Sequence, residues 1–147
     1  LPAAKEAVAE ARTPEPSARD KERFSGTVLV VDDEATVRAV AERGLQSMGM
    51  EVVLAEDGRE GLKKFRENPD LFVATLLYLT MPYADGVEVY GEIRKQRPEM
   101  PVLLMSGFNE QDAIDQFTEA EIGGFLQKPF DIEELRAMMM RLLTQSR

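Results

Sequence analysis

Residues 27–33 read TVLVVDD, a short β-branched apolar run that ends abruptly in two adjacent carboxylates. The run suits a strand buried on both faces and is too short for a buried helix. Downstream, Val37, Val40, Ala41, Gly44, Leu45 and Met48 recur at helical spacing, and Gly49 stands where a C-cap glycine belongs. The alternation then repeats. EVVLA (51–55) predicts a strand, Gly58 to Glu67 a helix stopped by Asn68-Pro69, and FVATLLYL (72–79) a central strand. Met81-Pro82 through Asp85-Gly86 reads as a loop, and Val87 to Gln96 as a helix with Val87, Tyr90 and Ile93 on one face. PVLLM (101–105) is the next strand, Glu110 to Glu119 the next helix, and GGFLQ (123–127) the last strand. Asp131 caps a final helix that turns Ile132, Leu135, Met138, Met139, Leu142 and Leu143 inward.

Strand–helix units at this spacing predict an α/β fold: a doubly wound, five-stranded parallel sheet with helices on both faces, because right-handed crossovers distribute helices across it. In such sheets the site lies off the carboxyl ends of the strands, near the point where strand order reverses. The loops that follow the strands are therefore where chemistry is to be sought.

The 147 residues suffice for one core, and 44% hydrophobic with 31% charged residues is the balance of a packed, soluble domain. Cysteine and histidine are both absent, which excludes disulfides, thiolate metal sites, phosphohistidine chemistry and any Ser/His or Cys/His triad within the chain. Residues 1–26 carry five charges of each sign, so the net charge of −9 falls entirely on residues 27–147, with 13 basic against 22 acidic. Such a surface repels a phosphate backbone, and no direct nucleic-acid binding is expected. No apolar run is long enough to cross a bilayer and no signal peptide opens the chain, so a soluble, cytoplasmic piece is expected. Residues 1–26, with their alanines, charges and three prolines, read as a largely disordered linker or the tail of a preceding domain, and residues 27–147 as the folded domain. The missing initiator Met points to a processed or excised segment of a larger parent.

At the strand ends stand Asp32-Asp33, Tyr78 followed by Leu79-Thr80-Met81-Pro82, Ser106-Gly107, and Lys128-Pro129-Phe130. Adjacent carboxylates repel, and a hard oxygen-preferring cation such as Mg2+ is the usual remedy. Lysine supplies a compact positive charge and serine a hydrogen-bond donor, both suited to phosphoryl oxygens. Taken singly, each element has a plain structural reading. Asp32-Asp33 can cap the first helix, Lys128 can precede a turn proline, Ser106-Gly107 can be a simple turn, and Phe125 and Tyr78 can be core aromatics.

Taken together and in order, VLVVDDE, LTMPYADG, MSG and LQKPF resemble the response-regulator receiver family of two-component signalling, over about Thr27 to Leu143. The resemblance implies a flavodoxin-like fold with strand order 2-1-3-4-5. It implies Mg2+ held by Asp32, Asp33 and the backbone carbonyl of Thr80, with Ser106 and Lys128 contacting the phosphoryl group. Ser106 and Phe125 would be the switch positions, and the partner a histidine kinase or phosphotransfer domain. In the family, the face that corresponds here to residues 110–143 often mediates dimerisation or docking.

One position departs from the pattern. Where the family has the phosphoryl-accepting aspartate, this chain has Tyr78. A phenol, with an unperturbed pKa of about 10, is neutral at physiological pH and brings no carboxylate to a metal. Phosphorylation is therefore not expected, Mg2+ binding should weaken, and an inward tyrosine can bond Asp32, Asp33 or Lys128. Thr75 faces the opposite side of the strand and cannot substitute. The reading is a non-enzymatic receiver domain of phosphorelay signal transduction that acts by protein–protein interaction. The opening Leu1-Pro2-Ala3-Ala4 resembles the end of a histidine-kinase ATP-binding domain, which suggests a hybrid kinase as parent. The alternative is a small Mg-dependent phosphatase or phosphotransferase of haloacid-dehalogenase-like type, although that class resembles Asp-x-Asp and this chain has Asp32-Asp33-Glu34. No Gly-rich nucleotide loop is present.

Overall fold

The computed structural model describes residues 24–79, 86–107 and 124–145. In these, strands β1 (Thr27–Val31), β2 (Glu51–Ala55), β3 (Phe72–Tyr78), β4 (Val102–Ser106) and β5 (Gly124–Gln127) are interleaved with helices α1 (Ala35–Ser47), α2 (Gly58–Glu67), α3 (Gly86–Gln96) and α4 (Ile132–Gln145). The expected helix at 110–119, the loop residues Thr80 to Asp85 and the segment 1–23 lie outside the described residues.

All five strands are parallel and hydrogen-bond in the order β2-β1-β3-β4-β5. This is the 2-1-3-4-5 order of flavodoxin-like sheets. Every residue of β1 and β4 is buried, as strands covered on both faces require. Their alternating side chains feed two cores. Val28, Val30, Leu76, Leu103 and Met105 pack with Leu45 of α1 and with Leu135 and Met139 of α4 on one face. Leu29, Val31, Leu77 and Leu104 pack with Phe65 of α2 and with Val89 and Ile93 of α3 on the other. Each fully buried aliphatic or aromatic side chain contributes about 1.5–3 kcal/mol, so the two layers are the main stabilising term.

Local signals set the helix ends. Gly49 has φ of 96°, the left-handed conformation of a C-cap glycine. Asp57 Oδ1 accepts a hydrogen bond from the Glu60 N–H at 2.8 Å while Glu60 Oε1 accepts from the Glu56 N–H at 2.7 Å. Asp131 and Glu134 form a reciprocal capping box, each carboxylate accepting from the other's backbone N–H, at 2.8 and 3.0 Å.

The buried stripe of α3 differs from the expected one. Gly86, Val89 and Ile93 face the sheet, Tyr90 is half-buried, and Val87 is exposed. Gly86 donates its N–H to the Leu79 carbonyl at 2.8 Å, and a Cβ there would lie 2.5 Å from both Leu79 Cα and the Tyr78 carbonyl oxygen. The absence of a side chain lets the first turn of α3 press onto the end of β3, and this contact sets the rotation of the helix.

Candidate functional site

Parallel register brings the strand ends level. Val31 pairs with Leu77, Tyr78 with Met105, and Ser106 with Gln127, so Asp32, Tyr78, Ser106 and Lys128 lie along one edge of the sheet. From β1 the chain first places β2 on one side and then β3 on the other, so the order reverses between β1 and β3. Asp32 and Tyr78 stand at that reversal.

Asp32 is fully buried, and Lys128 is 8% exposed. The Lys128 ammonium lies 3.0 Å from Asp32 Oδ2 and 3.2 Å from Oδ1. Oδ1 also accepts the Glu34 N–H at 2.8 Å, an Asx-type turn that leads the chain into α1. Oδ2 is buried and receives no well-directed hydrogen bond, so its attachment to Lys128 is by charge. The Asp32 carbonyl accepts from Arg38 Nη1 at 2.8 Å, which anchors the loop from the α1 side. Burial pushes the Asp32 carboxyl above the usual carboxylate range; the Glu34 N–H and Lys128 offset part of that rise, and Asp33 adds to it.

Lys128 has two further contacts. Glu34 Oε1 lies 2.5 Å from the ammonium, and the Tyr78 ring centroid lies 3.5 Å from it. Tyr78 thus meets the lysine through its ring face. A cation over an aromatic face is drawn to the ring quadrupole, more strongly when water is excluded. The Lys128 backbone N–H donates to the Ser106 carbonyl at 2.8 Å, which ties the loop after β5 to the end of β4, and Lys128-Pro129 is a cis peptide.

The expected site residues are distributed unevenly. Asp32, Tyr78 and Lys128 come together, and Ser106, buried, meets Lys128 through its backbone carbonyl. Asp33 is exposed, and the second carboxylate on Lys128 is instead Glu34. Phe125 is half-buried and packs against the core on the α2–α3 face. Thr80 lies outside the described residues. Glu34 and Arg38 are not marked out by residue type. Their only sequence signal is position, the third acidic residue after the strand and the first turn of the helix that follows.

A doubly wound parallel sheet of this order, with an acidic residue, a serine and a lysine at its carboxyl edge, defines a small flavodoxin-like α/β fold. The response regulator receiver domain model matches residues 28–140, and the chain belongs to that family. The transcriptional regulatory protein PrrA of Mycobacterium tuberculosis is 41% identical over 120 residues, 81% of this chain and 50% of PrrA. The alkaline phosphatase synthesis transcriptional regulatory protein PhoP of Bacillus subtilis is 34% identical, over 81% of this chain and 49% of its own length. The chain thus spans about half the length of the curated relatives it matches. Among solved structures, the chemotaxis protein CheY4 of Vibrio cholerae superposes with a TM-score of 0.72 at 30% identity, covering 82% of this chain and 100% of its own. A response regulator receiver domain protein of Clostridium thermocellum gives 0.74 at 27% identity, covering 82% and 95%. Among the described residues no helix is long and apolar enough to cross a membrane.

Receiver domains typically bind Mg2+ at this acidic edge. The residues present here do not fit that ion: Asp32 and Glu34 already share an ammonium, Asp33 is exposed and outside that ion pair, and an aromatic ring stands beside them. Among the described residues no group of three acidic side chains is arranged to hold a metal.

Proposed function

We propose that this receiver does not accept a phosphoryl group and signals through protein–protein contacts. The observation that carries the reading is the Tyr78 ring, held against the Lys128 ammonium at 3.5 Å, at the strand end where the family pattern has its aspartate. In this reading Tyr78 is the altered acceptor position, and Ser106 and Lys128 are the phosphoryl-contacting positions. Ser106 and Phe125 are the switch pair, and Asp32, Asp33 and the Thr80 carbonyl stand at the family's metal-side positions, which here lack the third carboxylate. A phenol lacks both the charge and the carboxylate geometry of an acyl-phosphate acceptor.

The docking surface is assigned to residues 110–143, of which 110–123 lie outside the described residues and α4 presents an exposed Met140. A histidine kinase, a phosphotransfer domain or a second copy are the partners. Residues 27–147 form the receiver unit, and residues 1–26 link it to a neighbour. That neighbour is a histidine-kinase ATP-binding domain if the parent is a hybrid kinase, whereas relatives named as transcriptional regulators favour a DNA-binding unit. The full-length gene sequence separates these two.

The test is to incubate the protein and its Tyr78→Asp variant with Mg2+ and acetyl phosphate and to read intact masses. Only the aspartate variant should gain a phosphoryl group. A gain by the unaltered protein would reveal another acceptor and overturn the proposal.

A further inference from the structure

We infer that the acidic pocket of this chain holds the Lys128 ammonium as its resident cation, lidded by the Tyr78 ring, and does not take a divalent metal ion. This deepens the reading of Tyr78 as an altered receiver position. The inference rests on how the ammonium is surrounded. Its neighbours are Asp32 Oδ1 at 3.2 Å and Oδ2 at 3.0 Å, Glu34 Oε1 at 2.5 Å and the Tyr78 ring centroid at 3.5 Å. Two carboxylates and one π face match an ammonium with three donors.

A divalent ion demands something different. Mg2+ requires near-octahedral oxygens at about 2.0–2.1 Å, so Asp32 would have to turn from lysine to metal. The ammonium, 8% exposed, would then stay buried beside a doubly charged ion with one of its two anions withdrawn. A carboxylate at position 78 would offset that charge, but an aromatic face cannot supply an oxygen anion. The ring instead favours the arrangement already present, because it attracts the ammonium where it sits. Asp33 is exposed and is not one of the two carboxylates on the ammonium. Tyr78 thus has two effects: it removes a metal ligand and it stabilises the competing cation.

The experiment titrates Mn2+, a paramagnetic stand-in for Mg2+, into the whole 147-residue protein while following backbone amide signals and the Lys128 ε-methylene protons. In the unaltered protein the ε-methylene signals should lie upfield under the Tyr78 ring current and stay there when diamagnetic Mg2+ is added. The amides of Asp32, Asp33 and Glu34 should show no selective broadening with Mn2+. Tyr78→Asp and Lys128→Met should each gain selective, saturable broadening, at least about 100-fold tighter than the unaltered protein, the scale of breaking one buried charge pair. Selective broadening in the unaltered protein, or movement of its Lys128 signals with Mg2+, would overturn the inference. A folded Lys128→Met variant that stays silent would overturn it too, since exclusion would then come from the missing carboxylate alone. If Lys128→Met fails to fold, the Lys128 signals of the unaltered protein decide. Metal occupancy is read without phosphorylation, so an unexpected acceptor would sink the functional proposal and leave this result unchanged.

Discussion

Replacing Tyr78 by Leu and Lys128 by Met, singly and together, measures how strongly the pocket closes on itself. Contacts between a cation and an aromatic face contribute about 0.5–1 kcal/mol at exposed sites and about 2 when desolvated. With Lys128 at 8% exposure and 3.5 Å from the ring centroid, the upper value applies. Lys128→Met alone is the more damaging change, because it leaves the fully buried Asp32 carboxylate without its ammonium, a loss of about 3–5 kcal/mol. That loss recurs in both backgrounds and cancels in the cycle. The remaining coupling between Tyr78 and Lys128 should be about 2 kcal/mol and, being buried, should change little with salt. Urea unfolding of the four proteins, extrapolated linearly to water, gives the number. Additivity within about 0.5 kcal/mol would refute the reasoning, because the ring would then sit near the ammonium without interacting.

Two other expectations concern the scaffold. Gly86→Ala should destabilise by about 1–3 kcal/mol, since its Cβ meets the backbone of Leu79 and Tyr78 at 2.5 Å. Gly91→Ala in the same helix meets nothing within 4 Å and should stabilise by about 0.5–1 kcal/mol, so thermal unfolding of the pair should move in opposite directions. The Glu56 N–H holds the Glu60 carboxyl below the usual range; burial opposes it, and Lys64 and Arg38 add to the lowering. Its stabilisation is complete above the ordinary glutamate value of 4.5 and is lost as pH falls through the lower folded value. The stability gap between the protein and Glu60→Gln should therefore be constant near neutrality and close on acidification. A gap that widens as pH falls would reverse the sign of this argument.

Much of the fold was legible from the chain alone, and for a local reason. TVLVV, EVVLA and VLLM are apolar runs of strand length bounded by turn residues. Gly49, Asp57 and Asp131 act within a few positions of themselves, so their roles follow from neighbours in sequence. Even the gathering of Asp32, Tyr78, Ser106 and Lys128 follows once the strands are known to be parallel, because parallel strands carry their final residues to the same edge. What lay beyond the sequence were the choices made between non-neighbours. Asp33 and Glu34 are both acidic residues following β1, and only the path of the chain into α1 sends Asp33 to solvent and Glu34 to Lys128, 94 positions away. The face of α3 that turns inward was decided by the fit of Gly86 against the β3 end, which no helical periodicity encodes. That Tyr78 offers its ring face to a buried ammonium is likewise tertiary: the composition supplied a tyrosine and a lysine, and packing brought them within 3.5 Å.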